Sequence, residues 1–184
     1  MSLGALGSDG VLEGAIQIPS PNCDERPEDA SINLLVVHNI SLPPGQFGGD
    51  AVVQLFTNVL DYSAHPFYET LRALKVSAHF LIRRDGALIQ FVPCTRRAWH
   101  AGPSNWCGRE RCNDFSLGVE LEGADDQAYA EPQYRRLAEL AAVLRRHYPI
   151  ADIVGHSDIA PGRKTDPGPA FDWGHLRSLL ARPQ

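Results

Sequence analysis

The chain is poor in three features that commonly announce a function. Basic charge is scarce: 17 Lys and Arg stand against 22 Asp and Glu, a net charge of −5. A nucleic-acid binder usually shows the reverse, so nucleic acid is not an expected partner. The pairs Arg83-Arg84 and Arg96-Arg97 read first as solvated faces and second as grips for an anionic ligand. Long apolar runs are missing too. Nothing approaches the ~18 residues of a membrane span, so no membrane partner is expected. The first residues have neither the basic segment nor the apolar stretch of a secretory signal, which predicts a cytoplasmic protein. Cysteine is the third shortage, with only Cys23, Cys94, Cys107 and Cys112. No Cys-x-x-Cys pair occurs, which argues against a zinc ribbon or a thioredoxin-type motif. Reduced thiols are expected, with a Cys107–Cys112 bridge as the alternative. Several catalytic motifs are absent as well: the Gly-x-Ser-x-Gly elbow, the His-Glu-x-x-His helix, the phosphate loop and the dinucleotide fingerprint.

What is present suits one globular domain over residues 1–184. A chain of this length buries roughly 70% of its unfolded surface and needs no staple. Residues 1–30 are polar and rich in Gly and Pro, an extended arm packed on that domain. Leu34-Leu35-Val36-Val37 is a continuous apolar run and reads as a buried central strand, with His38-Asn39 at its C-terminal end. Asp50 is placed to cap a helix through Leu60, with Val53, Leu55, Phe56 and Val59 as its stripe. A second helix is predicted from Pro66 to Leu74. Ala78–Arg83 and Ala87–Val92 flank Asp85-Gly86, a hairpin signature. Phe115–Leu121 reads as a strand with Leu117, Val119 and Leu121 on one face and Gly118, Glu120 and Glu122 on the other. Residues 132–147 form an amphipathic helix, Ile153-Val154-Gly155 a short strand, and Asp172 caps a last helix to Leu180. The mixture predicts an α/β (α+β) domain: a mixed central β-sheet flanked by helices.

His38 and His156 share a context, since each follows an apolar strand and precedes a loop of turn residues. Functional side chains favour such strand ends. From Gly155 to Pro169, an imidazole (His156), an ammonium (Lys164) and a carboxylate (Asp166) lie close together on a backbone stiffened by prolines. Imidazole and carboxylate are suitable zinc ligands, and three protein ligands leave a position for water, the catalytic pattern. Lys164 is a poor ligand but a good charge to set against an oxyanion. A surface salt bridge is the plainer reading of Lys164 with Asp166. Glu120 and Glu122 share a strand face; a carboxylate aimed at a polar cavity is a general-base candidate, and a solvated sheet face is the alternative.

Val36 to Gly45, Val76 to Ile82, Arg97 to Gly102, Gly118 to Gly123, and Gly155-His156 with Lys164 to Gly168 resemble the AmpD-type N-acetylmuramoyl-L-alanine amidases. The similarity runs in the same order over roughly residues 15–180. The resemblance implies a peptidoglycan-recognition-protein-like fold and one zinc ion held by His38, His156 and Asp166. It implies Glu120 as the water-activating carboxylate and Lys164 as the oxyanion-stabilising cation. The implied reaction is cleavage between the lactyl group of 1,6-anhydro-N-acetylmuramic acid and the L-alanine of the stem peptide, in cytoplasmic peptidoglycan recycling. That reaction also lowers the muropeptide signal that induces β-lactamase. The implied partner is a small muropeptide, bound by a monomer. Asn39, His79, Trp99, Arg111 and Asn113 are candidates for holding its sugar or peptide. Two departures stand out: Ser157 where the family often has Cys, and Gly162 where it often has Glu; at Lys75, relatives often carry another basic or polar residue. Gly162 is expected to loosen the loop carrying Lys164 and Asp166. A non-catalytic recognition module and a periplasmic amidase acting on intact wall are the competing readings.

Overall fold

A computed structural model describes residues 3–182. Its strands are β1 (Ile16–Gln17), β2 (Cys23–Asp24), β3 (Leu34–Ile40), β4 (Phe80–Ile82), β5 (Leu88–Gln90), β6 (Arg97–Ala98), β7 (Asn105–Trp106), β8 (Arg109–Glu110), β9 (Ser116–Glu122) and β10 (Asp152–Gly155). Its α-helices are α1 (Ala51–Phe56), α2 (Pro66–Glu69), α3 (Glu131–His147), α4 (His156–Ile159) and α5 (Trp173–Leu180).

The apolar run at Leu34 sits near the middle of a six-stranded sheet of order β1-β5-β4-β9-β3-β10. All pairings are parallel except the β4–β5 hairpin. This is the mixed sheet flanked by helices that the pattern predicts. Leu35 and Val37 of β3 and Leu117, Val119 and Leu121 of β9 bury against Leu137, Leu140, Ala141 and Leu144 of α3. Alternation then sends Val36 and His38, with Ser116, Gly118, Glu120 and Glu122, to the opposite face. That face carries two separate apolar clusters. One is built around Leu55, Phe56, Leu81 and Phe91, the other around Leu34, Val36, Phe115 and Ile159. Gln133 ties α3 to the sheet by donating to the carbonyls of Ile82 (3.2 Å) and Glu122 (3.1 Å).

The N-terminal segment lies along this body. β1 extends the sheet edge beside β5, and β2 pairs with β6. Leu6 and Leu12 are buried in the main core. All four cysteines are free.

Several boundaries differ from the predicted ones. α1 stops at Phe56, not Leu60, because Asn58 adopts a left-handed backbone (φ 61°). Val59 N–H then bonds Gln54 O (2.8 Å) and Asn58 N–H bonds Leu55 O (3.2 Å), a Schellman stop. Val59 leaves the stripe and is 68% exposed. Asp50 makes no cap bond; its carboxylate faces Arg83 at 3.2 Å. α2 ends at Glu69, since Leu71, Arg72 and Leu74 donate three residues back in successive tight turns. β3 runs on to Ile40, so His38 and Asn39 lie inside the strand. His156 opens a one-turn helix where a loop was predicted, and Asp158 accepts the Gly155 N–H at 2.7 Å. Asp172 caps α5 as predicted, accepting from His175 N at 2.8 Å.

Candidate metal centre

Register brings the chemistry together. In the parallel pairing, His38 of β3 lies beside Glu120 of β9, and Val154 of β10 lies beside Val36. Two residues on, His156 stands level with His38. Three neighbouring strands therefore deliver His38, His156 and Glu120 to one row at their carboxyl ends, where open α/β sheets place ligands. Asp166 arrives from the loop after α4.

His38 Nδ1 and His156 Nδ1 are 3.0 Å apart, and Asp166 Oδ2 is 3.1 Å from each. A tetrahedral zinc with bonds of ~2.0–2.1 Å sets its ligand atoms about 3.3 Å apart. The near-equilateral triangle and its two-imidazole, one-carboxylate donor set fit a single zinc-sized ion. His38 and His156 are buried, and the Asp166 side chain is 15% exposed. Each ring is also held at its far nitrogen. His156 Nε2 faces the Ala101 carbonyl at 3.0 Å, and His38 Nε2 faces His100 Nδ1 at 2.9 Å.

Burial, only partly opposed by Asp166, pushes the His38 pKa down to about 4, so the ring is neutral at pH 7 and able to bind a cation. Burial alone would raise the Asp166 carboxyl, but the two imidazoles beside it, His156 first and then His38, outweigh that and hold it well below the carboxylate range. Glu120 moves the other way. Burial first, then the charge of Asp166, raises it well above the ordinary value, while Lys164 pulls it back. Its Oε2 is buried with no hydrogen-bond partner among the described residues. It is thus a carboxylate with a free lone pair and a strong appetite for a proton.

These groups line a cavity of about 390 Å³. One wall is polar: His38, Asn39, His100, Glu120, Asp125, His156, Lys164 and Asp166. The apolar lining comes from Leu42, Phe67, Leu71, Leu74 and Val76, and Trp99 also lines the cavity. Such a volume suits a small molecule.

The candidate substrate contacts divide. Asn39 and Trp99 line the cavity. Asn39 also donates to Asp125 (2.8 Å) and to the Pro167 carbonyl (3.1 Å). His79 does not line it. Its ring is wholly buried, accepting from Gly118 N at 3.0 Å and facing the Arg96 carbonyl at 3.1 Å. Asn113 is turned inward, accepting from His100 N (3.1 Å) and Ala101 N (2.8 Å). Arg111 lies in a separate depression with Pro103, Ser104, Asn105, Glu110 and Ile159, and pairs with Asp114. Both carboxylate oxygens of Glu122 are spent on backbone N–H groups, those of Gly48 (2.7 Å) and Arg84 (3.1 Å). Glu120 is therefore the carboxylate of that face with a proton-accepting atom to spare. The arginine pairs mostly meet partners within the chain: Arg97 grips Asp24 at 2.6 Å through two nitrogens, Arg96 meets Glu25, Arg83 meets Asp50, and Arg84 donates to the Ala128 carbonyl at 2.9 Å.

Sequence reasoning did not find His100, Ser116, Asp125 or the apolar wall of Phe67 and Leu71. For His100 and Ser116 a signal exists: Ser116, Gly118 and Glu120 alternate on one strand face, an unusual polar stripe for a central strand. Arg26 was missed without a signal. Its guanidinium donates to the carbonyls of Asn113, Asp114 and Ser116, and only the tertiary structure reveals that.

The signature of a family described as N-acetylmuramoyl-L-alanine amidase matches residues 28–169. The 1,6-anhydro-N-acetylmuramyl-L-alanine amidase AmpD of Salmonella typhimurium is 57% identical over 178 residues, covering 96% of this chain and 95% of its own length. A crystal structure of a selenomethionine AmpD derivative superposes with a TM-score of 0.92 at 55% identity, covering 94% of this chain and 98% of its own. The Escherichia coli amidase AmiD, solved with the substrate anhydro-N-acetylmuramic acid-L-Ala-D-gamma-Glu-L-Lys, matches at TM-score 0.60 and 29% identity. That match covers 86% of this chain and 65% of its own.

Proposed function

Because the chain belongs to the N-acetylmuramoyl-L-alanine amidase family, we propose that it is a zinc-dependent amidase that hydrolyses the lactyl–L-alanine amide bond of 1,6-anhydro-N-acetylmuramoyl peptides. The observation that carries this reading is the meeting of His38, His156 and Asp166 at one point, beside the unpartnered carboxylate of Glu120 in a cavity. His38, His156 and Asp166 would hold the zinc. When bound, the ion supplies a Lewis acid that polarises the amide carbonyl and acidifies a water.

The remaining work falls to the chain's own residues. Glu120 Oε2 takes the proton of the attacking water as its oxygen bonds to the lactyl carbonyl carbon. Lys164 lines the same cavity, and its ammonium balances the charge that develops on the carbonyl oxygen. Contacts of that kind are worth about 10²–10³ in rate. Glu120 then passes the proton to the leaving L-alanine nitrogen, and the C–N bond breaks to give a lactyl carboxylate and a free peptide amine. Trp99 offers a flat apolar face to the sugar, and Asn39 a polar edge.

This reading places the enzyme in cytoplasmic peptidoglycan recycling, where its turnover would lower a muropeptide signal for β-lactamase induction. Among the described residues no helix is long and apolar enough to cross a membrane. The test is metal analysis of the purified chain together with turnover on anhydro- and reducing-end muropeptides. About one zinc per chain, and release of L-Ala-peptide from the anhydro substrate, are expected. Binding of the muropeptide without cleavage would instead establish a recognition module.

A further inference from the structure

We propose that His100 and Ser116 are positioning residues that fix the tautomer of His38, keeping its Nδ1 bare for the metal. The inference rests on the zinc reading above and follows from an accounting of protons.

A carbonyl oxygen can only accept. Ser116 Oγ lies 2.6 Å from the Cys112 carbonyl, so its single proton is spent there. The hydroxyl oxygen is left as an acceptor, and His100 Nε2 lies 3.1 Å from it. That nitrogen therefore carries the proton of the neutral His100 ring, and Nδ1 is a lone pair. His38 Nε2, 2.9 Å from that lone pair, must be the donor of the pair. His38 is then protonated at Nε2 and bare at Nδ1, the atom that faces His156 Nδ1 and Asp166 Oδ2. His156 reaches the same state in one step, donating Nε2–H to Ala101 O.

The reverse flow of protons is the alternative that the chain must suppress. If Ser116 donated to His100, every proton in the relay would shift one place. His38 would then carry its proton on Nδ1, where it would block the metal. The reversal requires Ser116 to abandon its 2.6 Å bond to Cys112 O inside a fully buried site.

The seat of the relay is cut into β9. Ser116, Gly118 and Glu120 alternate on one face of that strand. A Cβ at position 118 would lie 2.4 Å from His100 Cγ and 2.6 Å from its Nδ1, so the ring rests on bare backbone. Asn113 Oδ1 holds the backbone N–H groups of His100 and Ala101 over this seat. One strand face thus anchors the far end of the relay, makes room for its ring and supplies the catalytic carboxylate.

Two measurements on the full-length chain test the proposal. The first is the zinc dissociation constant, read by competition with a chromophoric chelator. Ser116→Ala and His100→Phe remove an acceptor, and each should weaken zinc by roughly 10–100-fold, the usual effect of losing an outer partner of a ligating histidine. Ser116→Thr keeps the hydroxyl and His100→Gln keeps an acceptor; both should recover most of the affinity. Gly118→Ala should behave like His100→Phe. The second is the ¹⁵N signature of the His38 ring in the metal-free protein. It should show a protonated Nε2 and a bare Nδ1 in the wild type, and a mixture of tautomers in Ser116→Ala. Packing alone would not move that signature. If the wild type binds no zinc, the metal reading falls, and the ring spectrum alone decides the relay. Wild-type zinc affinity in both Ser116→Ala and His100→Phe, or a wild-type His38 protonated at Nδ1, overturns the proposal.

Discussion

Replacing Glu120 by Gln should raise stability and abolish catalysis in one step. Glu120 is 8% exposed and its Oε2 has no hydrogen-bond partner among the described residues, so the charged carboxylate is poorly solvated. Burial and the neighbouring Asp166 displace its titration upward from 4.5. A carboxyl that holds its proton more tightly when folded makes the folded state bind more protons than the unfolded one. Stability then falls as pH rises from about 4.5 to the folded value, and the loss is complete above it. Each pH unit of displacement is worth about 1.4 kcal/mol. Gln keeps the volume and has no such loss. In metal-free protein the two forms should match near pH 4 and diverge in favour of Gln as pH rises. Zinc should narrow the gap, because a nearby divalent cation favours the carboxylate.

Catalysis should move the other way. A positioned general base contributes about 10²–10⁴ in rate, so kcat should drop by that factor with zinc content unchanged. The assay pairs urea denaturation of chelator-treated protein across pH 4–8.5 with turnover of an anhydromuropeptide. Wild-type kcat in the Gln variant would remove Glu120 from the reaction. Parallel stability curves would refute the claim that its charge is held at a cost.

Four further outcomes are expected. Asp166→Ala should lose zinc on dialysis, with affinity falling by more than the ~10–100-fold that an outer contact commands; full retention by elemental analysis would reassign the ligand. The metal-free fold should weaken as pH falls from 6.5 toward 4. The neutral His38 ring resists protonation down to about 4 when folded, so the unfolded chain binds more protons in that window. This one ring is worth up to about 3 kcal/mol; His79 and His100 are displaced in the same direction, and a flat urea-midpoint profile would contradict all three. Asp172→Ala should cost about 1 kcal/mol by thermal melting, since it removes the cap of α5. Trp99→Ala should raise KM for the muropeptide more than it lowers kcat, because the ring lines the cavity but is not one of the groups placed to hold the metal.

Much of this arrangement is legible in the sequence for identifiable reasons. Apolar runs and alternation set β3 and β9, and parity alone places Glu120 on the face away from α3. The hairpin is written in Asp85-Gly86, where Gly86 takes φ 85° and Asp85 accepts from Ala87 N at 2.9 Å. Errors arise where a local choice overrides periodicity. Asn58 could continue a helix or end it, and its left-handed backbone ends it. His79 and Asn113 look like polar residues near a site, yet both spend their atoms on backbone groups. For His79 and Asn113, pairing with distant backbone decided the outcome, and no window of neighbouring residues contains it.

The loop bearing Lys164 and Asp166 shows the same limit from the other side. Gly162 stands where the resemblance leads one to expect Glu, and on side-chain grounds a glycine should loosen this segment. In the structure Gly162 adopts φ 75°, a conformation that favours glycine, and a Cβ there would meet nothing within 4 Å. A Cβ there would neither clash nor pack. The segment is held by its backbone instead: Arg163 N and Lys164 N both bond Ala160 O (3.1 and 3.0 Å), Gly168 N bonds Thr165 O (3.0 Å), and Ser157 N bonds Asp166 O (2.9 Å). The Arg163 guanidinium adds bonds to Ala101 O at 2.6 Å and Pro103 O at 2.7 Å. Ala101 O is also the acceptor that orients His156. One carbonyl therefore keys both the second imidazole and the loop that carries the carboxylate. The shared acceptor fixes the second imidazole relative to the loop, and on that loop, rich in turns, Asp166 Oδ2 sits 3.1 Å from each of the two rings.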